Sequence, residues 1–317
     1  MTSAEDRARA AVPRTPATID EAIAAALEIA PGGRGRLLAS SRLESWPGMV
    51  HGGGVVALLD AAAVALGGAR ASRVLEGRLT TSVPTETPLT LDGYADAEGT
   101  RLTILRDGQI LGSATTTGID AGAGVPAGTR DPGADSPSAD DWQSRQRGQE
   151  GGWALPTSEH CLACGADNLL GLQGRLRFDE TGVWALLPAR PAWLTPDGRW
   201  HTAVAPVLLD EISWWLGALV AKEGGLTNRL RVTLHHREAG FSGPLVGAGR
   251  FDAVTPIDRR RTFWRTETAL WAGDGAIVAT AAVVFRGGAE FSARQMAYFR
   301  SRAPLPVFDR MFPNYSR

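Results

Sequence analysis

A histidine and an aspartate recur at the same spacing in two parts of the chain. His51 precedes Asp60 by nine residues and His201 precedes Asp210 by nine, and each Asp directly follows a Leu-Leu pair. The two copies lie 150 residues apart. Because a carboxylate can activate water or attack a carbonyl carbon, both aspartates are candidate catalytic groups. A structural carboxylate with a buried partner explains an Asp in an apolar helix equally well.

Only the first copy has glycines after its histidine. Gly52 and Gly53 allow the backbone to approach a ligand closely. The exposed N–H groups at the start of a helix would stabilise a carbonyl oxygen that develops negative charge. The first copy therefore predicts a carbonyl-binding turn, whereas Thr202 and Ala203 stand in those places in the second copy.

The elements around the two motifs follow the same order, which indicates an internal duplication. Helices are predicted over residues 53–66 and 203–222, each preceded by strand-like sequence and followed by about four strands. The predicted strands are 36–43, 78–83, 89–95, 101–105 and 110–117 in the first half, and 172–178, 183–188, 230–236, 245–252, 262–269 and 276–285 in the second. A strict alternation of short strands with turn residues favours antiparallel sheets.

Five regions are expected along the chain. Residues 1–35 form an N-terminal extension whose short helix begins at a capping box of Thr18 and Glu21. Two domains, 36–119 and 158–288, are joined by a flexible linker over 120–157 that is rich in Gly, Pro, Ala, Asp and Ser. The C-terminal tail, 289–317, carries many aromatic residues, so we expect it to pack on the body.

Composition narrows the class of protein. The chain has 317 residues, 44% of them hydrophobic and 21% charged, with a net charge of −1. This balance gives no electrostatic reason to expect nucleic acid or an anionic membrane as a partner. No secretory signal or membrane-spanning run is apparent, and two cysteines are too few for a disulfide framework, so a cytoplasmic location is the expectation.

Two segments resemble a known family. His51-Gly52-Gly53 followed by Leu59-Asp60 resembles the H-G-G-x(6)-D motif of hotdog-fold acyl-CoA thioesterases of the phenylacetic-acid-pathway type. The segment from Cys161 to Leu172 is similar to a C-x-x-C-G-x-x-N-P-x-G-L segment of that superfamily, and residues 78–89 are similar to the strand after its helix. The resemblance covers roughly residues 36–119 and 158–287.

The resemblance implies an α+β fold in which each long helix is wrapped by an antiparallel sheet. Two hotdogs pair to form the active sites, and here one chain would supply both as a pseudo-dimer. Asp60 would attack the thioester or activate water, and the Gly52 N–H would polarise the thioester carbonyl. His51 and Gly53 would shape that turn. Asp210 and His201 take the equivalent places in the second copy.

The departures from the motif leave the activity open. With Thr202-Ala203 in place of Gly-Gly, one functional site beside a degenerate one is expected, and loss of both sites is the alternative. The resemblance thus predicts hydrolysis of an acyl-CoA or acyl-carrier thioester without metal or other cofactor. A binding protein without catalysis is the first alternative. A hotdog dehydratase or hydratase is the second, although its G-D-x-N-P-x-H signature is absent.

Two further groups of residues are weaker candidates. Arg259, Arg260 and Arg261 could bind the phosphates of coenzyme A, although an exposed charged turn explains them better. Ser213 lies three residues after Asp210 and could contribute a hydroxyl from the same helical face, whereas Glu211 is expected to be solvated. Assembly of such chains into a homo-oligomer is possible.

Other hydrolase chemistries lack their motifs. The cysteine pair, with His160 beside it, could be half a zinc site, but zinc needs about four ligands and no second pair exists. We therefore expect a buried pair of small residues in a turn. G-x-S-x-G, G-x-x-x-x-G-K-[ST] and H-E-x-x-H are all absent, which disfavours serine hydrolases, P-loop hydrolases and zincins.

Overall fold

The structure is a computed structural model that describes residues 16–30, 32–67, 71–119, 152–235 and 240–316. Most of the linker predicted over 120–157 lies outside these described residues.

The first half contains two helices and six strands among the described residues. Helix α1 (Ile19–Ala26) begins at Thr18, whose hydroxyl accepts from the Glu21 N–H while the Glu21 carboxylate accepts from the Thr18 N–H, so the capping box is confirmed. Helix α2 spans Gly52–Ala65. The strands are β1 (Leu27–Ile29), β2 (Gly35–Leu37), β3 (Arg73–Leu79), β4 (Leu89–Ala95), β5 (Thr100–Arg106) and β6 (Gln109–Gly118).

The second half repeats this order and adds a helical tail. Strands β7 (Trp153–Ala154), β8 (Arg175–Phe178) and β9 (Gly182–Leu187) precede helix α3 (Val204–Ala221). After it come β10 (Gly225–Leu234), β11 (Leu245–Arg250), β12 (Thr255–Pro256), β13 (Phe263–Ala272) and β14 (Ile277–Gly287). Helices α4 (Ala289–Arg302) and α5 (Leu305–Met311) form the tail.

One 14-stranded antiparallel sheet runs through both halves, in the order β1-β2-β4-β5-β6-β3-β10-β14-β13-β11-β9-β8-β7, with β12 paired to β13. The halves join where β3 pairs with β10, with Leu75 opposite Val232. Each half therefore wraps a long helix in an antiparallel sheet, and the two sheets are continuous. This is the α+β pseudo-dimer that the sequence predicts.

The two long helices approach each other very closely at their N-terminal ends. A Cβ atom added to Gly53 would lie 2.0 Å from the backbone carbonyl oxygen of Pro206. Only glycine permits this contact, which brings the start of α2 against the start of α3. Helix α3 is long and apolar enough to cross a membrane, but 78% of it is buried inside the protein, so packing in the core accounts for its composition.

The sequence predictions fail in places where local turns override the pattern. The strand expected at 36–43 is shorter, because a 3-10 turn occupies Ser41–Leu43. The strand expected at 78–83 lies earlier, as β3. The charged residues Glu76 and Arg78 are exposed in this strand and interrupt its apolar sequence, so it does not read as an apolar run. The tail packs on the body as expected, since Phe299, Phe308 and Phe312 are buried.

Candidate active site

The carboxylate of Asp210 lies at the N-terminus of α2, in the other half of the chain. Its Oδ2 accepts a hydrogen bond of 2.7 Å from the Gly53 N–H, and its Oδ1 accepts one of 2.6 Å from the Thr227 hydroxyl on β10. Asp210 is only 4% exposed. Burial raises the pKa of Asp210, although His51, Thr227 and Gly53 all favour the charged form. A carboxylate of this kind is a stronger base than an exposed Asp.

Gly52 adds an unused donor beside this carboxylate. It is the first residue of α2, where the N–H groups have no intrahelical partner. Within the part of the chain that the structure describes, its N–H donates no hydrogen bond. Gly52 and Asp210 also line the same cleft, and a Cβ added to Gly52 would lie 2.7 Å from Asp210 Oδ2. A residue with a free N–H and a carboxylate are therefore neighbours in that cleft.

His51 connects Asp210 to a second group of side chains. Its Nδ1 lies 3.5 Å from Asp210 Oδ2, and its Nε2 lies 3.2 Å from Oε2 of Glu211. The sulfur of Cys161 is 3.9 Å from the same Glu211 oxygen. Glu211 Oε1 accepts a hydrogen bond of 3.2 Å from the Trp215 indole. Four chemically active side chains thus meet in one buried cluster.

The cluster has strongly shifted pKa values. Burial lowers the pKa of His51, but its contacts with Cys161, Glu211 and Asp210 outweigh burial, so the pKa is raised well above the ordinary value. A hydrogen bond from Cys164 is the main cause that lowers the pKa of Cys161 to about 7, with His51 acting in the same direction. Burial opposes ionisation of Glu211, yet His51 lowers its pKa. The raised pKa of His51 favours its protonated imidazole, which the neighbouring Glu211 and Asp210 carboxylates stabilise.

The cysteine pair sits in a tight turn, as expected, and both thiols are buried. The turn packs on the first half, because the Leu162 N–H donates to the Glu44 carbonyl at 2.7 Å and the Asn168 amide donates to the Arg42 carbonyl at 2.8 Å. The C-x-x-C-G-x-x-N segment of the second half therefore supports the residues that lead into His51.

These groups line a cleft that opens to solvent, and its empty space of about 1050 Å³ includes part of that solvent. Large apolar side chains form much of its wall, and the tail helix α4 contributes two of them. The aromatic lining residues are Trp46, Trp214, Trp215, Tyr298 and Phe299. Trp46 contacts Tyr298 and Phe299 edge-on at centroid distances of 5.3 and 5.5 Å. Trp214 and Trp215 contact each other edge-on at a centroid distance of 5.0 Å, and both line the cleft.

In the other copy, an arginine binds the equivalent aspartate, Asp60. Asp60 is 5% exposed, and Arg73 binds both of its oxygens, with Nε 2.7 Å from Oδ1. Arg73 also reaches the Thr202 hydroxyl at 3.4 Å. His201 accepts a hydrogen bond from the Ala203 N–H through Nδ1 and lies 3.7 Å from Asp20. Neither Asp60 nor His201 lines the cleft.

The expected pairing of Asp60 with the Gly52 turn is not found. The two residues are eight positions apart on one helix, which separates them by roughly 12 Å along its axis. Asp210 takes the position beside Gly53 instead. The structure brings His51, Gly52, Gly53 and Asp210 together, and it keeps Asp60 and His201 apart from them.

Two expectations about α3 are wrong. Ser213 does not reach the cleft, because its buried hydroxyl lies 3.1 Å from that of Thr268 in the core. Glu211 is not solvated, since its side chain is 13% exposed and contacts His51. Adjacent helical residues differ by about 100° in direction, so Glu211 and Asp210 both fit the gap between the halves while Ser213 turns towards the sheet.

The three neighbouring arginines do not reach the cleft. Arg259, Arg260 and Arg261 lie in an exposed turn after β12, and Arg261 stacks 6.0 Å from the Trp264 ring. Among the described residues, Arg286, near the end of β14, is the arginine that lines the cleft. It pairs with Glu290 at 3.1 Å on the surface.

Sequence reasoning missed Thr227, Glu211 and Cys161 as members of the site. No spacing rule links a strand threonine to a helix 17 residues earlier, because their contact depends on how β10 lies beside α3. Glu211 had one available signal, which was its position next to Asp210 on a helix with apolar residues on all sides.

No protein-family model matches the sequence, and no curated protein is significantly similar to it. Solved structures do match its fold. A conserved protein of unknown function with a hot dog fold, from Alicyclobacillus acidocaldarius, is 16% identical with a TM-score of 0.55, over 85% of this chain and 97% of that one. A thioesterase II candidate from Thermobifida fusca is 15% identical with a TM-score of 0.57, over 84% and 98%. The pyran synthase domain from module nine of the sorangicin pathway is 13% identical with a TM-score of 0.53, over 83% and 97%. The chain therefore has the double hotdog fold.

Proposed function

We propose that this protein hydrolyses acyl thioesters, with coenzyme A or an acyl carrier as the thiol. One observation carries the proposal: Asp210 and Gly52, whose N–H donates no hydrogen bond among the described residues, line the same open cleft. A thioester carbonyl needs a donor for its oxygen and a base or nucleophile for its carbon, and these two groups supply both. The thioesterase II candidate among the structural neighbours supports this reaction class.

In the proposed reaction the carbonyl oxygen accepts a hydrogen bond from the Gly52 N–H. The positive end of the α2 dipole then stabilises the negative charge that develops on this oxygen. Asp210 takes a proton from water as the water oxygen attacks the carbonyl carbon. The C–S bond of the tetrahedral intermediate then breaks, the departing sulfur takes that proton from Asp210, and the acyl group is released as a carboxylic acid. Gly53 and Thr227 hold the carboxylate in place by their hydrogen bonds.

Different parts of the cleft would bind the two ends of the substrate. Its aromatic wall suits an apolar acyl group, because burying such a group removes apolar surface from water. Arg286, at the cleft, is a candidate for binding a phosphate of the thiol carrier. It replaces Arg259, Arg260 and Arg261 in this proposed role, since those residues lie away from the cleft.

Hydrolysis assays with a panel of short, long and aryl acyl-CoAs test the proposal. Removal of a general base lowers kcat by ~10²–10⁴-fold, so Asp210→Asn should lose activity on that scale. The matched control is the double variant Asp60→Leu with Arg73→Met, which removes both charges at the equivalent position and should stay active. Full activity in Asp210→Asn, or no hydrolysis by the wild type of any thioester, would refute the proposal.

The proximity of His51 and Asp210 favours a second function, hydration or dehydration of a thioester. The His51 ring and the Asp210 carboxylate lie 3.5 Å apart. An acid and a base at one thioester could also catalyse addition of water to an enoyl thioester or its elimination. The pyran synthase domain among the structural neighbours has a similar fold. Loss of enoyl-CoA absorbance without release of free thiol would identify this reaction instead of hydrolysis.

A further inference from the structure

The cluster of His51, Cys161 and Glu211 has the composition of a metal site. Their ligand atoms, Nε2, Sγ and a carboxylate oxygen, all lie within 4.8 Å of one another. Nε2 and Oε2 are 3.2 Å apart, close to the separation of two ligands on one tetrahedral ion. Imidazole, thiolate and carboxylate are the three ligand types that zinc uses in proteins.

A second thiol lies beside these three ligands on the same turn. Cys164 lowers the pKa of both Cys161 and Glu211, although its sulfur is not among the atoms that all lie within 4.8 Å of one another. The spacing C-x-x-C is that of paired zinc ligands. The turn also has a backbone donor on the sulfur, because the Ala163 N–H lies 3.3 Å from Cys161 Sγ. Position 165, directly after Cys164, requires glycine, because a Cβ there would lie 2.5 Å from the Cys161 carbonyl oxygen.

The groups behind these ligands are arranged to orient them. A histidine that binds a metal through one nitrogen commonly donates its other N–H to a carboxylate. His51 Nδ1 is buried, has no hydrogen bond among the described residues and faces Asp210 Oδ2 at 3.5 Å. The second oxygen of Glu211 is held by the Trp215 indole. Both non-cysteine ligands therefore have an outer partner.

The charges also favour a cation. Glu211 and two thiols that can ionise meet with a single basic side chain, His51, among the described residues that contact Glu211. Buried like charges are costly unless a cation compensates them. A divalent ion would bind the two sulfurs as thiolates and release their protons to solvent.

We propose that zinc binds to His51, Cys161 and Glu211, that the Cys164 side chain turns inward as the fourth ligand, and that this tetrahedral site ties the cysteine turn of the second half to the N-terminus of α2. Four protein ligands leave no open coordination position, so the ion serves structure. It would fix His51, and through His51 the Gly52 turn beside Asp210. The exposed His160, adjacent to the pair in sequence, has no part in it.

Metal content and cobalt spectra of the full chain test this site directly. Reduced protein, prepared without a histidine tag or chelators, should contain about one zinc per chain. After the zinc is removed, Co²⁺ should give the visible absorption of a tetrahedral site and a thiolate-to-cobalt charge-transfer band. Cys161→Ser and His51→Gln should lose the zinc. The control His201→Gln, at the equivalent position of the other copy, should retain it.

Two results would overturn the proposal. One is folded wild-type protein that neither contains zinc nor gives a charge-transfer band with Co²⁺. The other is Cys161→Ser protein that holds zinc at the wild-type ratio. The wild-type cobalt spectrum decides the matter even where a variant fails to fold. Because no thioester is used, failure of the zinc site is distinguishable from failure of the proposed hydrolysis.

Discussion

The Gly53 N–H donates a hydrogen bond of 2.7 Å to Asp210 Oδ2, and this bond joins two residues 157 positions apart in opposite copies of the repeat. The candidate site is thus assembled across the pseudo-dimer and does not belong to either copy. The equivalent position of the other copy differs, because Arg73 binds both oxygens of Asp60 there. Of the two equivalent positions, Asp210 lines an open cleft beside a free backbone donor, and Asp60 does not line that cleft in the part of the chain that the structure describes.

Gly52→Ala should abolish most activity while the protein stays folded. The new Cβ would lie 2.7 Å from Asp210 Oδ2 and would displace the carboxylate, whereas alanine itself is well tolerated in a helix. A displacement of about 1 Å can cost roughly 10²-fold in rate. We expect kcat/KM to fall on that order with an unchanged melting temperature.

The matched control for that substitution is Gly273→Ala, in the turn between β13 and β14. An added Cβ there meets no atom closer than 3.5 Å. This variant should keep both activity and stability. Equal activity of Gly52→Ala and wild type would mean that the Asp210 carboxylate is not held at this turn during catalysis.

The long helices and the duplication are predictable from the sequence, because apolar runs bounded by glycines define them. Helix α2 spans 52–65 against a prediction of 53–66, and α3 spans 204–221 against 203–222. The repeated His-to-Asp spacing also places one aspartate within each of the two long helices. Local pattern is sufficient for elements whose limits are set by their own residues.

The composition of the site is not predictable in the same way, because its contacts join distant parts of the chain. The salt bridge of Asp60 with Arg73 depends on where β3 passes α2, and the contact of Cys161 with Glu211 depends on the docking of a turn against a helix. One negative conclusion was available. Asp60 and Gly52 share a helix, so their separation of roughly 12 Å rules out joint action on one atom.

Arg73→Met should destabilise the protein strongly. It leaves the Asp60 carboxylate buried without its partner, and side chains of both residues are less than a tenth exposed. Loss of one member of a buried pair costs about 3–5 kcal/mol of unfolding free energy. Urea unfolding should show this loss, and Asp60→Leu combined with Arg73→Met should recover most of it. Equal stability of the single variant and wild type would contradict a structural role for this pair.

Phe299→Ala should lower both stability and the preference for large acyl groups. The ring is 4% exposed and packs against Trp214, Trp215 and Phe312, and it also lines the cleft. Truncation of a buried Phe costs about 3–5 kcal/mol, and the enlarged cleft would hold the acyl chain less tightly. Thermal unfolding and KM across an acyl series measure the two effects.

Leu305→Ala provides the control in the same tail, because its side chain is 53% exposed. It should leave the melting temperature and the acyl preference unchanged. If Phe299→Ala behaved like Leu305→Ala, the tail would not form part of the cleft wall in solution.

His201 should make the protein less stable as the pH falls below neutrality. Burial lowers the pKa of His201, and its Nδ1 accepts a hydrogen bond from the Ala203 N–H, which only the neutral ring can do. Because the folded pKa is below the unfolded value of about 6.5, the unfolded chain binds the proton first. The stability from His201 is therefore complete above about pH 6.5 and is lost as the pH falls towards the folded pKa.

His201→Gln removes this titration, so its melting temperature should decline less than that of wild type on acidification. His160→Gln, at an exposed position, should follow wild type. Parallel curves for His201→Gln and wild type would show that this histidine is not held neutral in the folded protein.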